Sequence, residues 1–217
     1  MPGIQFSTER YLAFTLREMK ENILVIGSGG REHAICWKLA QSKEVQNIYI
    51  SPGNTGITAL PKVKKVDLDL KNFGTVGVWC QKNDIGLVVV GPEDPLANGM
   101  VDALSNYGLN CFGPNKAGAQ IEANKEWSKA FMDRHGIPTA RWKSFKSAEE
   151  AKKFILSAPY AALVVKASGL AAGKGVVVAS CAEEACEAVE SIATDRKYGT
   201  AGEVVVVEEL LDGEEVS

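Results

Sequence analysis

The chain has 217 residues, 46% of them apolar and 24% charged, which fits a globular protein with one large domain or two small ones. A formal net charge of -3 leaves no basic stripe to neutralise a nucleic-acid backbone, so nucleic acid is not an expected partner. No apolar run approaches the roughly 20 residues of a membrane span, and the five cysteines, Cys36, Cys80, Cys111, Cys181 and Cys186, lack CxxC or metal-finger spacing. They read as reduced thiols, and the expected compartment is the cytoplasm.

Residues 1–18 form an extension of unassigned role. Arg10 and Arg17 beside apolar residues suit a transit peptide, Glu9 and Glu18 do not, and Met19 is an alternative start. Asn22 to Gly27 then reads as a buried parallel strand, Ser28-Gly29-Gly30 as a turn, and Arg31 to Gln41 as a helix offering Ile35, Leu39 and the body of Trp37 as apolar surface. The turn is a weak dinucleotide fingerprint. Glu32 stands where the third glycine belongs and is expected to crowd the helix against the strand, and the strand Ile48 to Ser51 ends in Pro52-Gly53-Asn54 without an acid for a ribose. Backbone amides at the turn still suit a phosphate.

Asn72 to Lys82 reads as a helix before the strand Ile85 to Val90, and Ala97 to Tyr107 as a helix before Leu109 to Phe112. This alternation predicts an α/β fold with a parallel sheet covered on both faces. Gly29-Gly30, Pro52-Gly53-Asn54, Gly91-Pro92-Glu93 and Gly113-Pro114 all follow strands, and ligands of such sheets sit beyond the carboxyl ends. A shared cleft is expected there.

Near Asn115 the texture changes. A helix from Asn124 to His135, capped by Asn124, ends at Gly136-Ile137-Pro138-Thr139. Trp142 to Phe145 reads as a strand, and Ser147 opens a helix with Glu149 and Glu150 in its first turn. Leu163 to Val178 follows as a strand, a glycine-rich loop and a second strand; Cys181 to Ala193 is an acidic amphipathic helix and Val204 to Glu208 a strand.

The loop carries chemistry. Gly169, Gly173 and Gly175 let the backbone turn and approach a ligand, with Lys166 before it and Lys174 within it. It is not a P-loop: Gly169 to Lys174 is one residue short, Gly175 replaces Ser or Thr, and Val176-Val177-Val178 continues as a strand where a P-loop feeds a helix. A hairpin lid over a nucleotide fits better. Lys125, Lys166 and Lys174 are the candidate phosphate cations, with Lys166 foremost because it ends the buried run Ala161 to Val165 and an unpaired buried ammonium is costly. Glu208 and Glu209, ending an apolar strand, are candidates for the edge of a base.

The segments Val25 to Ala34, Pro52 to Asn54, Val90 to Glu93, Cys111 to Pro114, Val165 to Val176 and Glu208 to Ser217 closely resemble the glycinamide ribonucleotide synthetase (phosphoribosylamine-glycine ligase) family of ATP-grasp ligases, from about Met19 to the last residue. Phe131 to Thr139 resembles the animal form, which sits at the amino end of a trifunctional purine-synthesis polypeptide. The resemblance implies residues 19–120 as an amino-terminal α/β domain and residues 121–217 as the first part of an ATP-grasp domain. It implies ATP-dependent joining of glycine to 5-phosphoribosylamine through glycyl phosphate, giving glycinamide ribonucleotide, ADP and phosphate. Lys125, Lys166 and Lys174 would then contact the ATP phosphates or the cover loop, Glu208, Glu209, Leu210 and Leu211 the adenine edge, and Glu215 the ribose. Gly29, Gly30, Asn54 and Glu93 would lie on the phosphoribosylamine side. The family's Mg2+ ligands, a Glu and an Asn, belong to a later strand, so no metal ligand is expected within this chain. Residues 1–217 alone are therefore expected to be nearly inactive, with two alternatives left open: another ATP-grasp enzyme, and a naturally truncated, non-catalytic nucleotide-binding chain.

Overall fold

The computed structural model describes residues 21–171, 174–194 and 199–214. Contacts divide the chain into two units, Met1–Asn115 and Lys116–Ser217.

In the first unit, β1 (Glu21–Gly27), β2 (Val45–Pro52), β3 (Val63–Lys65), β4 (Ile85–Val90) and β5 (Cys111–Phe112) pair in parallel, in the order β3-β2-β1-β4-β5. Parallel neighbours require crossovers. These are α1 (Gly30–Ala40), α2 (Thr55–Thr58), α3 (Phe73–Lys82), and the pair α4 (Glu93–Ala97) and α5 (Met100–Ser105). Alternate residues of a strand point to opposite faces, so β1 supplies both layers of the core. Leu24 and Ile26 pack with Val88, Val90 and residues of α3 and α5, including Cys80 and Leu104. Ile23 and Val25 pack with Ile48, Ile50, Cys36 of α1 and Ile57 of α2. Each fully buried aliphatic side chain contributes about 1.5–3 kcal/mol, which is why the central strands are apolar almost without interruption. Burial pushes the Cys36 thiol up to about 11 and the Cys80 thiol up to about 12, so both are unreactive packing groups.

Three expectations are corrected here. Trp37 does not pack on the sheet: it is 55% exposed, and α1 buries Glu32 and Cys36 instead. The single helix from Ala97 to Tyr107 is two helices, because Gly99 adopts a left-handed conformation at φ 88° and restarts the chain at Met100. Glu32 does not crowd α1 away from the sheet. Its side chain is 3% exposed and occupies the space left by two glycines; a β-carbon on Gly27 would lie 2.6 Å from Glu32 Cδ, and one on Gly91 2.1 Å from Oε1.

Strand order decides where a ligand can enter. The sheet runs from β1 to β2 and β3 on one side and to β4 and β5 on the other, so the topological switch lies between β1 and β4. Ser28-Gly29-Gly30 and Gly91-Pro92-Glu93 flank that crevice.

The second unit is built on an antiparallel sheet in the order β6-β9-β7-β8, comprising β6 (Trp142–Phe145), β7 (Val164–Ala167), β8 (Val176–Val178) and β9 (Val205–Glu208). The expected strand, loop and strand form the β7-β8 hairpin, with Lys166 opposite Val176. Between α6 (Gln120–Ala123) and α7 (Lys125–Arg134), the Asn124 side chain accepts a bond from Trp127 N; Ser147 likewise caps α8 (Ala148–Ser157) through Glu150 N. α8 and α9 (Ala182–Ala193) cover one face of the sheet, where Ala151, Ile155, Val189 and Ile192 meet Val165, Ala167, Val205 and Val207. By the same two-residue period, Val164, Lys166, Val206 and Glu208 belong to the opposite face.

Gly27 has φ 128°, a conformation that costs an L side chain about 1–3 kcal/mol. Gly27→Ala is expected to lose at least that much stability in urea unfolding. Gly30→Ala, where a β-carbon meets nothing within 4 Å, should be neutral or slightly stabilising. Equal midpoints for the two variants would contradict the packing of Glu32 between Gly27 and Gly91.

Candidate functional site

The face of the second sheet opposite α8 and α9 carries a cleft of about 430 Å³, lined by Lys125, Ser128, Lys129, Met132, Thr139, Ala140, Lys166, Glu208 and Leu211. Its centre is a carboxylate. Glu208 is 4% exposed, and its Oε2 receives Lys166 Nζ at 2.9 Å and Lys129 Nζ at 3.0 Å. Lys166 reaches it from the neighbouring strand, because Val164 pairs with Glu208 and Lys166 with Val206 on one face. Lys129 reaches it from α7 and also donates to Thr139 Oγ1 at 2.7 Å. A buried carboxylate deprived of its partners costs several kcal/mol, and the two ammonium groups offset that cost. Glu208 Oε1 is buried and, among the described residues, accepts no hydrogen bond.

Lys125 stands one turn before Lys129 on the same helix, and residues four apart share a face. Its Nζ donates to Gly169 O at 3.2 Å and its backbone N to Ser168 O at 2.8 Å. Ser168 completes the knot by donating Oγ to Asn124 Oδ1 and accepting from Glu126 N. The start of α7 is thus tied to the root of the glycine-rich loop. Desolvation is the largest influence on Lys125, and with Lys166 nearby it holds the ammonium pKa below the ordinary 10.5 against the pull of Glu122 and Glu208. Among the described residues, three lysines against one carboxylate make the lining of the cleft cationic.

Other candidate residues are placed differently. Lys174 is exposed and is not among the residues lining the cleft. Gly169 and Gly175 each leave room for a close contact within the protein. A β-carbon on Gly169 would lie 2.7 Å from Ala201 Cα, and one on Gly175 2.5 Å from Ala171 Cβ. Gly173 and Glu215 lie outside the described residues. Glu209 turns from the cleft to Arg141, receiving Nε at 2.9 Å, while its own N donates to Arg141 O. Leu210 N donates to Ala161 O, and Leu211 alone of these three lines the cleft. The sequence reading missed Lys129 altogether. Its spacing of four from Lys125 was the available signal.

In the first unit, the turns after β1, β2 and β4 are laced together. Gly53 N donates to Gly27 O, Gly91 N to Ile26 O, and Asn54 Nδ2 to Ser28 O at 2.6 Å. Asn54 Oδ1 also caps α2 through Ile57 N, so this side chain is committed to holding the turns. Glu32 Oε2 accepts from Gly29 N at 2.7 Å, and its Oε1 from Arg31 Nε at 2.9 Å. Arg31 Nη2 lies 3.5 Å from Glu93 Oε2 across the switch crevice, and Gly29, Gly30 and Glu93 are all exposed there. Although desolvation opposes it, the bonds from Arg31 and Gly29 keep the Glu32 carboxyl below its ordinary range.

Residues 21–122 match the family Phosphoribosylglycinamide synthetase, N domain, and residues 123–217 match Phosphoribosylglycinamide synthetase, ATP-grasp (A) domain. The chain belongs to the phosphoribosylglycinamide synthetase family. It is 62% identical over 202 residues to the trifunctional purine biosynthetic protein adenosine-3 of Drosophila melanogaster, covering 92% of this chain and 15% of that protein. The human protein of that name is 53% identical over 199 residues, with 20% of its length covered. The phosphoribosylamine-glycine ligase of Pasteurella multocida is 47% identical over 196 residues, with 46% covered. Among solved structures, the phosphoribosylamine-glycine ligase of Thermotoga maritima superposes with a TM-score of 0.69 at 29% identity, over 89% of this chain and 44% of that one. A biotin carboxylase domain from Hydrogenobacter thermophilus reaches the same TM-score of 0.69 at 18% identity, a likeness of fold alone. The chain thus spans less than half the length of each of these relatives.

An anion seated beside Lys125 raises that ammonium's pKa again. Binding of inorganic triphosphate at alkaline pH, between the depressed value and 10.5, is therefore expected to take up protons. Calorimetry in buffers of different ionisation heat reads the uptake, and Lys125→Met should abolish most of it. Uptake unchanged in that variant would contradict the placement.

Proposed function

We propose that this chain forms the nucleotide-binding front part of a ligase that joins glycine to 5-phosphoribosylamine, with ATP held in the cationic cleft of the second unit. The convergence of Lys125, Lys129, Lys166 and Glu208 around one cleft within the ATP-grasp domain carries this reading.

In the proposed reaction, a glycine carboxylate oxygen attacks the γ-phosphorus and the bond to the β-γ bridging oxygen breaks, so that ADP leaves. The amine nitrogen of 5-phosphoribosylamine then attacks the acyl carbon of glycyl phosphate, loses a proton, and expels phosphate to give glycinamide ribonucleotide. Negative charge accumulates on the transferred phosphoryl oxygens and the leaving ADP, and fixed cations in a water-poor cleft stabilise it far more than they would in bulk water. Lys125 and Lys166 supply that field. The β7-β8 loop, Lys174 included, covers the phosphates, and Glu208, Leu210 and Leu211 border the base, Leu210 through its backbone carbonyl. Glu215 is assigned to the ribose by resemblance alone. The β1/β4 crevice takes 5-phosphoribosylamine: the exposed amides at Gly29 and Gly30 suit its phosphate, Glu93 its amine, and Asn54 holds the turns in register.

Mg2+ neutralises triphosphate and orients it when bound. Among the described residues no three His, Cys, Asp or Glu side chains gather into a metal site, so no step is assigned to a metal here. Among the described residues, likewise, no helix is long and apolar enough to cross a membrane, and all five cysteines are free thiols, in keeping with a cytoplasmic enzyme. Continuity with further purine-synthesis domains is part of the same proposal.

The test uses the full polypeptide that carries this sequence, supplied with Mg-ATP, glycine and 5-phosphoribosylamine. ADP release is expected to require both other substrates. Lys166→Met should weaken ATP binding at least tenfold, and Lys152→Met, which removes only a surface pair with Glu190, less than twofold. Equal effects of the two variants, or ADP release independent of glycine, would overturn the assignment.

A further inference from the structure

We infer that Lys129 is a positioning residue that fixes the Glu208 carboxylate and thereby sets the preference of the cleft for adenine over guanine nucleotides. The inference rests on the reading that the cleft takes ATP.

Lys129 is poorly placed to serve as a phosphate cation. Its side chain is 10% exposed, and among the described residues its ammonium donates to Thr139 Oγ1 at 2.7 Å and pairs with Glu208 Oε2 at 3.0 Å. Lys166 differs: its side chain is 24% exposed and, among the described residues, it donates only to Glu208, so two of its three donor positions remain for a ligand. Both lysines converge on the same carboxylate oxygen. The other, Glu208 Oε1, is buried in the cleft wall and has no donor among the described residues. Two consequences follow from this asymmetry.

First, Lys129, itself anchored on Thr139 Oγ1, clamps Oε2 from the helix side, which fixes the rotation of the carboxylate and keeps Oε1 from swinging onto an ammonium. Without Lys129 the carboxylate can rotate to give Lys166 both oxygens. Second, an unfilled buried acceptor is costly until it receives a donor. The exocyclic amine of adenine is a donor; the corresponding position of guanine is a carbonyl, whose lone pairs would face those of Oε1. A site whose buried polar groups are paired by one ligand and left opposed by its analogue discriminates strongly between them.

The experiment measures equilibrium binding of ATP and of GTP by calorimetry to the full polypeptide, as wild type, Lys129→Met, Glu208→Gln and the double variant. Wild type is expected to prefer ATP at least thirtyfold. Lys129→Met should reduce that ratio at least fivefold, mostly through weaker ATP binding, and Lys129→Arg should restore at least half of it. The double variant should match Glu208→Gln within twofold, because Lys129 acts through Glu208. Equal loss of ATP and GTP affinity in Lys129→Met, or a further large loss in the double variant, would overturn the inference and leave Lys129 as a phosphate cation or a packing residue. If Lys129→Met fails to melt cooperatively, Thr139→Val replaces it: a ratio reduced about threefold supports the clamp, and an unchanged ratio refutes it. Wild-type protein that binds neither nucleotide would instead refute the reading of the cleft itself.

Discussion

The second unit depends on one buried carboxylate. Glu208 ends a strand whose other residues, Val205, Val206 and Val207, are as buried as it is, and a lone charge at that depth would favour unfolding or neutralisation. Lys166 from the adjacent strand and Lys129 from the helix pair with it, so a single ion cluster joins three elements. Replacing the cluster with aliphatic residues would make an equally compact domain. What it would lose is a cleft with ammonium donors still unspent and an acceptor still unfilled.

The first unit reaches a comparable result with a different device. There the buried carboxylate is Glu32, held by the Gly29 amide and Arg31 in a space that exists because Gly27 and Gly91 have no side chains. Glu32 braces the ends of β1 and β4 where strand order reverses, and Arg31 extends the network to Glu93 at the exposed crevice. In both units a charge inside the fold orients polar groups that face outward. The backbone amides and cations at each place are therefore oriented by folding itself.

Local signals in the sequence were read most reliably. Asn124 and Ser147 cap the helices they were expected to cap, the apolar runs of β1 and β4 form parallel strands, and Val176 to Val178 forms the strand that excludes a P-loop. Lys166 was legible because a lysine ending a buried strand demands a partner. The partner's place was not, since Glu208 lies 42 residues away and meets Lys166 only through the pairing of β7 with β9. Lys129 was hidden for the same reason: a lysine in a polar helix looks solvated until the helix is laid against a carboxylate. The glycines carry a second role that sequence does not display, because the missing β-carbons at Gly169 and Gly175 also make room for Ala201 and Ala171, contacts that exist only once the loop is folded. Trp37 misled, by counting as core from its chemistry while lying exposed.

The central claim, that the cleft around Glu208 receives ATP, is tested most directly by lysine acetylation of the full polypeptide with and without Mg-ATP, followed by peptide mass mapping. Strong protection of Lys125 and Lys166, with Lys71 on the first unit labelled equally in both samples, is the expected result. Protection absent at both cleft lysines, or uniform across all three, would contradict it.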